Sequence, residues 1–178
     1  IYINGRFLIN NPTGIENFAY GMCKAMLEKG IKFIILTPKS AIRSYDVIGF
    51  DMIKIGLFTG PLWEQIDLSF FMIGKSRDIL ISFSGAGSLI IKNQIITIHD
   101  VAVFQHPEWF SKTYSILYKT ITPIIARKSK AILTVSEFSK REITNLFGIN
   151  SDKVIVTYSS PKNYSKCDLI HEQQNNTN

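Results

Sequence analysis

The sequence predicts an α/β fold, a parallel sheet with helices on both of its faces. Three observations predict it. Strand-sized apolar runs alternate with helix-sized amphipathic runs along the 178 residues. Several of the short runs, Phe33-Ile34-Ile35-Leu36 and Ile95–Ile98 among them, are apolar at consecutive positions, as strands buried on both faces are. Turn residues separate the runs, with no internal repeat and no linker splitting the chain. The length suits one domain, and a hydrophobic share of 46% suits a globular rather than a disordered chain.

The elements follow in order. Residues 1–9, IYINGRFLI, read as a strand of β-branched and aromatic residues with Gly5 near its middle. Asn-Asn-Pro-Thr is a turn, and Thr13-Gly14-Ile15-Glu16 opens a helix. Thr13 and Glu16 have capping-box spacing, each able to bond a free backbone N–H. Ile15, Phe18, Ala19, Met22 and Met26 make one apolar stripe, and Gly30 stops the helix. Residues 33–36 and, more weakly, 52–55 are strands; 62–73 are helical; 79–83 are a strand followed by the loop Ser84-Gly85-Ala86-Gly87-Ser88. The strand Ile95–Ile98 ends at His99-Asp100, and His106-Pro107-Glu108-Trp109 lies in a loop. A long helix over 112–129 is interrupted by Pro123. A strand covers 131–135, and Ser136 caps a helix that runs through Phe147 to Gly148. Residues 154–158 are the last strand, and 159–178 form a polar tail or interdomain linker after a domain of residues 1–158.

In such sheets, ligands sit at the carboxyl ends of strands beside helix N-termini. That directs attention to Gly5–Gly14, Ser82–Gly87, His99-Asp100 and Ser136. Gly14, in the first turn of the first helix, lets a phosphate approach free N–H groups, or merely permits the turn. His99 at a strand end faces a ligand crevice, able to bond a sugar hydroxyl or move a proton, or is one residue of a polar turn. Asp100 orients His99 or caps the next segment. Glu64 at a helix start suits the helix dipole.

Other classes are disfavoured. No G-x-G-x-x-G follows the first strand and no P-loop motif occurs. No third partner completes a hydrolytic triad around His99. Cys23 and Cys167 match no metal spacing and read as free thiols of a reducing compartment. The longest apolar stretches fall well short of the roughly 18 residues of a membrane span, and no signal-peptide pattern opens the chain. A cytosolic domain is expected. The net charge of +6 comes almost wholly from residues 111–130, which hold five basic residues and no acid. That is a local patch, which argues against a protein that tracks a nucleic-acid backbone. On the long helix Lys112, Lys119, Arg127 and Lys130 cluster within about 80°. They form either a solvated face or a surface drawn to an anionic membrane or a pyrophosphate-bearing acceptor.

Five stretches carry a resemblance: INGRF at 3–7, TGIENFAY at 13–20, LWEQ at 62–65, TIHDVAVFQHPEWFS at 97–111 and ILTVSEFSKREI at 132–143. Together they resemble the N-terminal half of the retaining nucleotide-sugar glycosyltransferases of family 4. The resemblance implies a Rossmann-like domain, one half of a B-type enzyme with two such domains facing across a cleft. By the same resemblance Gly14, next to Thr13, would approach the donor diphosphate or the acceptor; Gly85, in the loop after its strand, is expected to line the same crevice and bind there. His99 would bond the transferred sugar near its reaction centre, with Asp100 following. Ser136 and Lys140 would face the cleft from another strand end, and Glu64 and Gln65 would lie near the acceptor side. The co-substrate would be a nucleotide-diphosphate sugar, with no further cofactor. The acceptor would be a saccharide or a lipid-linked hydroxyl in polysaccharide biosynthesis, met in the cytoplasm or on the inner face of the membrane.

The departures shape the expectation too. In the family most nucleotide contacts come from a second domain, which carries two glutamates separated by seven residues; no glutamates here have that spacing. Tyr158-Ser159-Ser160 stands where Asn-Gly would lead into that domain. The donor-binding half is therefore expected outside this chain, and the chain alone is expected to be inactive. No D-x-D triplet occurs, so no metal is expected. Two rival readings are half of a nucleotide-sugar epimerase and a non-catalytic Rossmann-like interaction module.

Overall fold

Among the described residues seven strands form one sheet in the order β3-β2-β1-β4-β5-β6-β7, with every neighbouring pair parallel. They are β1 (Tyr2–Asn4), β2 (Ile34–Thr37), β3 (Met52–Lys54), β4 (Leu80–Ser82), β5 (Gln94–Thr97), β6 (Ala131–Thr134) and β7 (Val154–Val156). The structure is a computed structural model and describes residues 1–39, 45 and 47–158. The expected tail at 159–178, with Cys167, lies outside the described residues.

Helices cover both faces, as the alternation predicts. Successive strand residues point to opposite sides. Ile35 and Ile81 pack in the cluster of α1 (Gly14–Glu28), with Ala19 and Cys23. Leu36 and Leu80 pack on the other face with Trp63, Leu68 and Met72. These three belong to α2, which begins at Gly60–Trp63, widens to a π turn at Glu64–Leu68 and ends at Ser69–Met72. A third cluster joins β5 and β6 to α4 (Lys112–Lys128) and α5 (Glu137–Phe147) through Ile96, Ile125, Ile132, Ile143 and Phe147. The short α3 (Ala102–Gln105) and a 3₁₀ turn at Pro107–Trp109 occupy the stretch read as a loop.

The chain leaves β1 toward β2 and β3, then crosses back and proceeds from β4 in the other direction. The carboxyl ends of β1 and β4 therefore diverge, which opens the crevice of a topological switch point.

Several expectations are corrected. The first strand ends at Asn4; Arg6–Ile9 is a 3₁₀ turn that buries both Phe7 and Leu8. α4 runs through Pro123 without interruption; the carbonyl that loses its partner belongs to exposed Lys119, where water reaches it. The capping box does not form as such: Thr13 Oγ1 donates to Glu16 Oε2, and neither side chain caps the backbone. Ile15 leaves the apolar stripe and is exposed. Gly30 does end α1, at φ 71°, with its N–H on Leu27 O and that of Ile31 on Met26 O, a Schellman pair.

Gly5 marks the tightest approach between strands. Its N–H donates to Leu36 O at 2.8 Å. A Cβ there would lie 2.7 Å from that carbonyl and 2.8 Å from Thr37 Cγ2, and would strike Ile35 as well. Backbone cannot yield without parting β1 from β2. Gly5→Ala is expected to cost about 1–3 kcal/mol through overpacking, read as a lower urea midpoint; an unchanged midpoint would show slack between these strands.

Candidate functional site

A cavity of about 240 Å³ opens at the carboxyl edge of the sheet. Gly85 and Ala86 after β4 and the run Ile96–Asp100 at the end of β5 form one side. Ile15 and Glu16 of α1 and Arg6 and Asn10 after β1 form another, and Phe104, Phe110, Tyr114 and Tyr118 close it. These segments meet because β1, β4 and β5 are sheet neighbours.

Beneath the cavity, behind Arg6 and Gly85 of its lining, lies a buried polar cluster. Glu64, in the π turn of α2, has no solvent exposure. Its Oε1 accepts from Asn4 Nδ2 at 2.7 Å, and its Oε2 from Arg6 Nη1 at 2.6 Å. Asn4 also donates to Ser82 Oγ at 3.2 Å, tying the ends of β1 and β4 together. Burial pushes the Glu64 carboxyl up; Arg6, Asn4 and the Ala86 N–H oppose it. Burial likewise works against the Arg6 charge, but Glu64 and the Tyr118 hydroxyl outweigh it and raise the guanidinium. A guanidinium does not deprotonate in proteins, and it meets Glu64 Oε2 at salt-bridge distance, 2.6 Å. Gly85, at φ 79°, is held against this cluster, and a side chain there would strike Glu64 Oε1. Gln65 next door fastens the 84–88 loop: its Nε2 donates to Gly87 O at 2.7 Å and its Oε1 accepts from Leu89 N at 3.0 Å.

His99 stands on the cavity wall, half-buried, its ring edge-on to Phe18 of α1 at 5.1 Å. Its Nε2 lies 3.2 Å from Phe83 O. A carbonyl only accepts, so Nε2 carries the proton and Nδ1 is left as the acceptor. Burial pushes the imidazole below its ordinary value, against the pull of Phe83 O, Asp100 and Glu16. His99 is thus neutral at pH 7. The unfolded histidine titrates near ~6.5 and the folded one lower, so the unfolded chain binds the proton first. The stability owed to neutral His99 is full above ~6.5 and is lost as pH falls through the folded value. Urea midpoints of wild type and His99→Gln are therefore expected to converge on acidification from pH 7.5 to 5.5; a constant gap would refute the assignment.

The other sequence-derived candidates scatter. Asp100 lines the cavity but spends Oδ1 on Ala102 N at 2.9 Å, capping α3. Thr13 and Gly14 are exposed at the start of α1, one turn-edge away from Ile15 and Glu16, which line the cavity in their place. Among the described residues nothing crowds Gly14: an added Cβ meets no atom within 4 Å beyond its chain neighbours and its own helix backbone. Ser136 caps α5, accepting from Ser139 N at 3.0 Å, and neither it nor Lys140 lines the cavity. Lys112, Lys119, Arg127 and Lys130 are all exposed, with Ile116 exposed among them. No helix among the described residues is long and apolar enough to cross a membrane, and no group of three or more His, Cys, Asp or Glu among them could hold a metal ion. Arg6 lies within the Gly5–Gly14 stretch that the sequence singles out, but its pairing with Glu64 and the depth of Glu64 escape a sequence reading. The available signals were an arginine directly after the first strand and a glutamate flanked by Leu62-Trp63 and Ile66.

Sheet order, switch point and edge cavity together define a Rossmann-like α/β domain of the kind that makes up half of a B-type glycosyltransferase. Residues 12–159 match Glycosyltransferase Family 4, and the chain belongs to that family. It is similar to the O-antigen chain mannosyltransferase RfbU of Salmonella typhimurium, 28% identical over 85 residues, 48% of this chain and 23% of that protein. It is also similar to the O-antigen chain mannosyltransferase B of Escherichia coli, 31% identical over 67 residues, 38% of this chain and 18% of that protein. The matched stretches thus span less than a quarter of either relative.

Proposed function

We propose that this chain is the acceptor-side domain of a glycosyltransferase of polysaccharide assembly. The complete enzyme moves a hexosyl group, with retention, from a nucleotide-diphosphate sugar to a hydroxyl of a glycan or lipid-linked saccharide. The observation that carries the reading is the convergence of His99, Gly85 and Arg6 on one cavity at the switch-point edge. Family membership supports the reaction class, and the names of the two relatives support a growing sugar polymer as its setting.

In this reading His99 accepts a hydroxyl proton at Nδ1, with Phe83 O fixing the tautomer, and orients the transferred sugar. The cavity beyond it holds the acceptor. The donor diphosphate is gripped chiefly by a second domain, so residues 1–158 alone have little turnover. Gly14 and Thr13 at the open end of α1, and Ser136 and Lys140 on α5, face that domain across the cleft. The enzyme works in the cytoplasm, touching the inner face of the membrane through Lys112, Lys119, Arg127 and Lys130. Exposed Ile116 and Trp109 add apolar contact to those charges.

The test is an assay of the full-length protein with a panel of nucleotide-diphosphate hexoses and oligosaccharide acceptors. Transfer with the donor's anomeric configuration kept, read by NMR of the product, is expected. Conversion of the sugar nucleotide without any acceptor would favour an epimerase, and the absence of any turnover or binding an interaction module.

A further inference from the structure

His99 is held at two points, and both lead to aromatic residues that touch each other. The torsion that turns an imidazole about its Cβ–Cγ bond is broad and roughly two-fold, so a histidine at a strand end does not choose by itself which ring nitrogen it presents. The hydrogen bond from Nε2 to Phe83 O, 3.2 Å long, makes that choice and leaves Nδ1 as the acceptor. One hydrogen bond still lets the ring tilt and swing about the N–H···O line. Only a contact on another side of the ring stops that.

Phe18 supplies it. Its ring stands edge-on to His99, with centroids 5.1 Å apart and planes at 86°, an arrangement that aromatic pairs prefer. The same Phe18 ring stands edge-on to the ring of Phe83, at 6.4 Å and 77°. Phe83 is buried in the cluster that holds Ala19 and Cys23 of α1, and Phe18 packs against that cluster. The contacts therefore close a circuit. His99 donates to the Phe83 carbonyl, the Phe83 ring meets the Phe18 ring, and the Phe18 ring returns to His99. The three members come from α1, from the residue after β4 and from the segment after β5, so a shift of one is felt by the other two.

The charges around the ring do not perform this role. Asp100 beside it and Glu16 of α1 both favour the imidazolium. Asp100 Oδ1 is spent on Ala102 N, and Glu16 accepts from Asn10 and Thr13. Arg6, paired with Glu64, lines the same cavity, as do Tyr114 and Tyr118 of α4. Burial is what opposes protonation, and the Phe18 ring is part of that cover.

We propose that Phe18 is the positioning residue for His99: together with Phe83 it fixes the plane and the tautomer of the imidazole, so that Nδ1 meets a substrate hydroxyl as a neutral acceptor. The proposal rests on the part given to His99 above and deepens it, because it assigns to α1 the task of orienting the ring.

The test uses Phe18→Leu and Phe18→Met, which keep apolar volume and remove the ring, and Phe18→Tyr, which keeps the ring. NMR of the 178-residue chain follows the His99 ring signals through a pH titration. In the leucine and methionine variants the midpoint is expected to rise from its depressed value toward ~6.5, with the tyrosine variant staying at wild type. In the full-length enzyme, loss of the ring is expected to lower kcat about three- to tenfold with KM unchanged. The acid limb of the kcat–pH profile should move up with the midpoint, since an imidazolium has no acceptor nitrogen. Urea midpoints show which variants are folded. A lower urea midpoint with an unmoved His99 titration would mean packing alone and would overturn the proposal. So would a tyrosine variant that behaves like leucine. Should His99→Ala lose turnover while folded Phe18→Leu titrates and turns over as wild type, the circuit falls and the part given to His99 stands. Should the ring variants move the titration while His99→Ala turns over as wild type, the part given to His99 falls and only an oriented wall residue remains.

Discussion

Glu64→Ala is expected to remove about 3–5 kcal/mol of stability, the cost of breaking a buried ion pair from one side. Glu64 is fully buried and is the described acceptor for both Asn4 Nδ2 and Arg6 Nη1. Truncation leaves a guanidinium with little solvent and no counter-charge, and frees the donor that links β1 to β4 through Ser82. Urea unfolding of the wild type and the variant measures the loss. The double variant Glu64→Leu with Arg6→Met is expected to recover most of it, since apolar replacement of both partners is often neutral or better. That contrast isolates the ion pair from packing. A single variant within 1 kcal/mol of wild type, as a surface salt bridge would be, would mean that the charges are solvated and the floor of the site is not as described.

His99→Ala in the full-length enzyme is expected to lower kcat by tenfold or more, as loss of a polar contact made at the reacting sugar does. The substitution also deletes an edge-on contact with Phe18, so folding is checked first by the unfolding midpoint. His99→Asn, which keeps a polar group of smaller reach, is expected to fall between wild type and alanine. An alanine enzyme with unchanged kcat and KM would remove His99 from the mechanism and leave it a wall residue.

Much of the fold was legible because it is local. Consecutive apolar residues at 33–36 and 95–98 mark doubly covered strands, and a 3.6-residue stripe with a glycine stop marks α1. His99 and Gly85 were found for the same reason: both directly follow strands, and strand ends face the ligand edge of a parallel sheet. Local rules also misled. The apolar run through IYINGRFLI looks like one long strand, yet Gly5, at φ −90° and ψ 15°, leaves the extended region and ends it. Glu64 fits a helix start so well by charge that its burial is invisible, because a helix-dipole role and a buried counter-ion use the same residue at the same position. Ser136 was drawn toward the site by its strand-end position, but the backbone of α5 claims its side chain.

Fold class, family and the sheet edge on which the cavity opens can all be read from the chain as a string. Each rests on periodicity, turn chemistry or short motifs that are complete within a few residues. The composition of the site comes from packing: the Arg6–Glu64 pair spans 58 positions, and Thr97, Thr122 and Tyr118 line one cavity because α4 packs on β5. Strand order brings those groups together, and strand order is a property of how the whole sheet buries its faces. No single segment encodes it, since every parallel strand presents much the same apolar pattern whichever neighbour it takes.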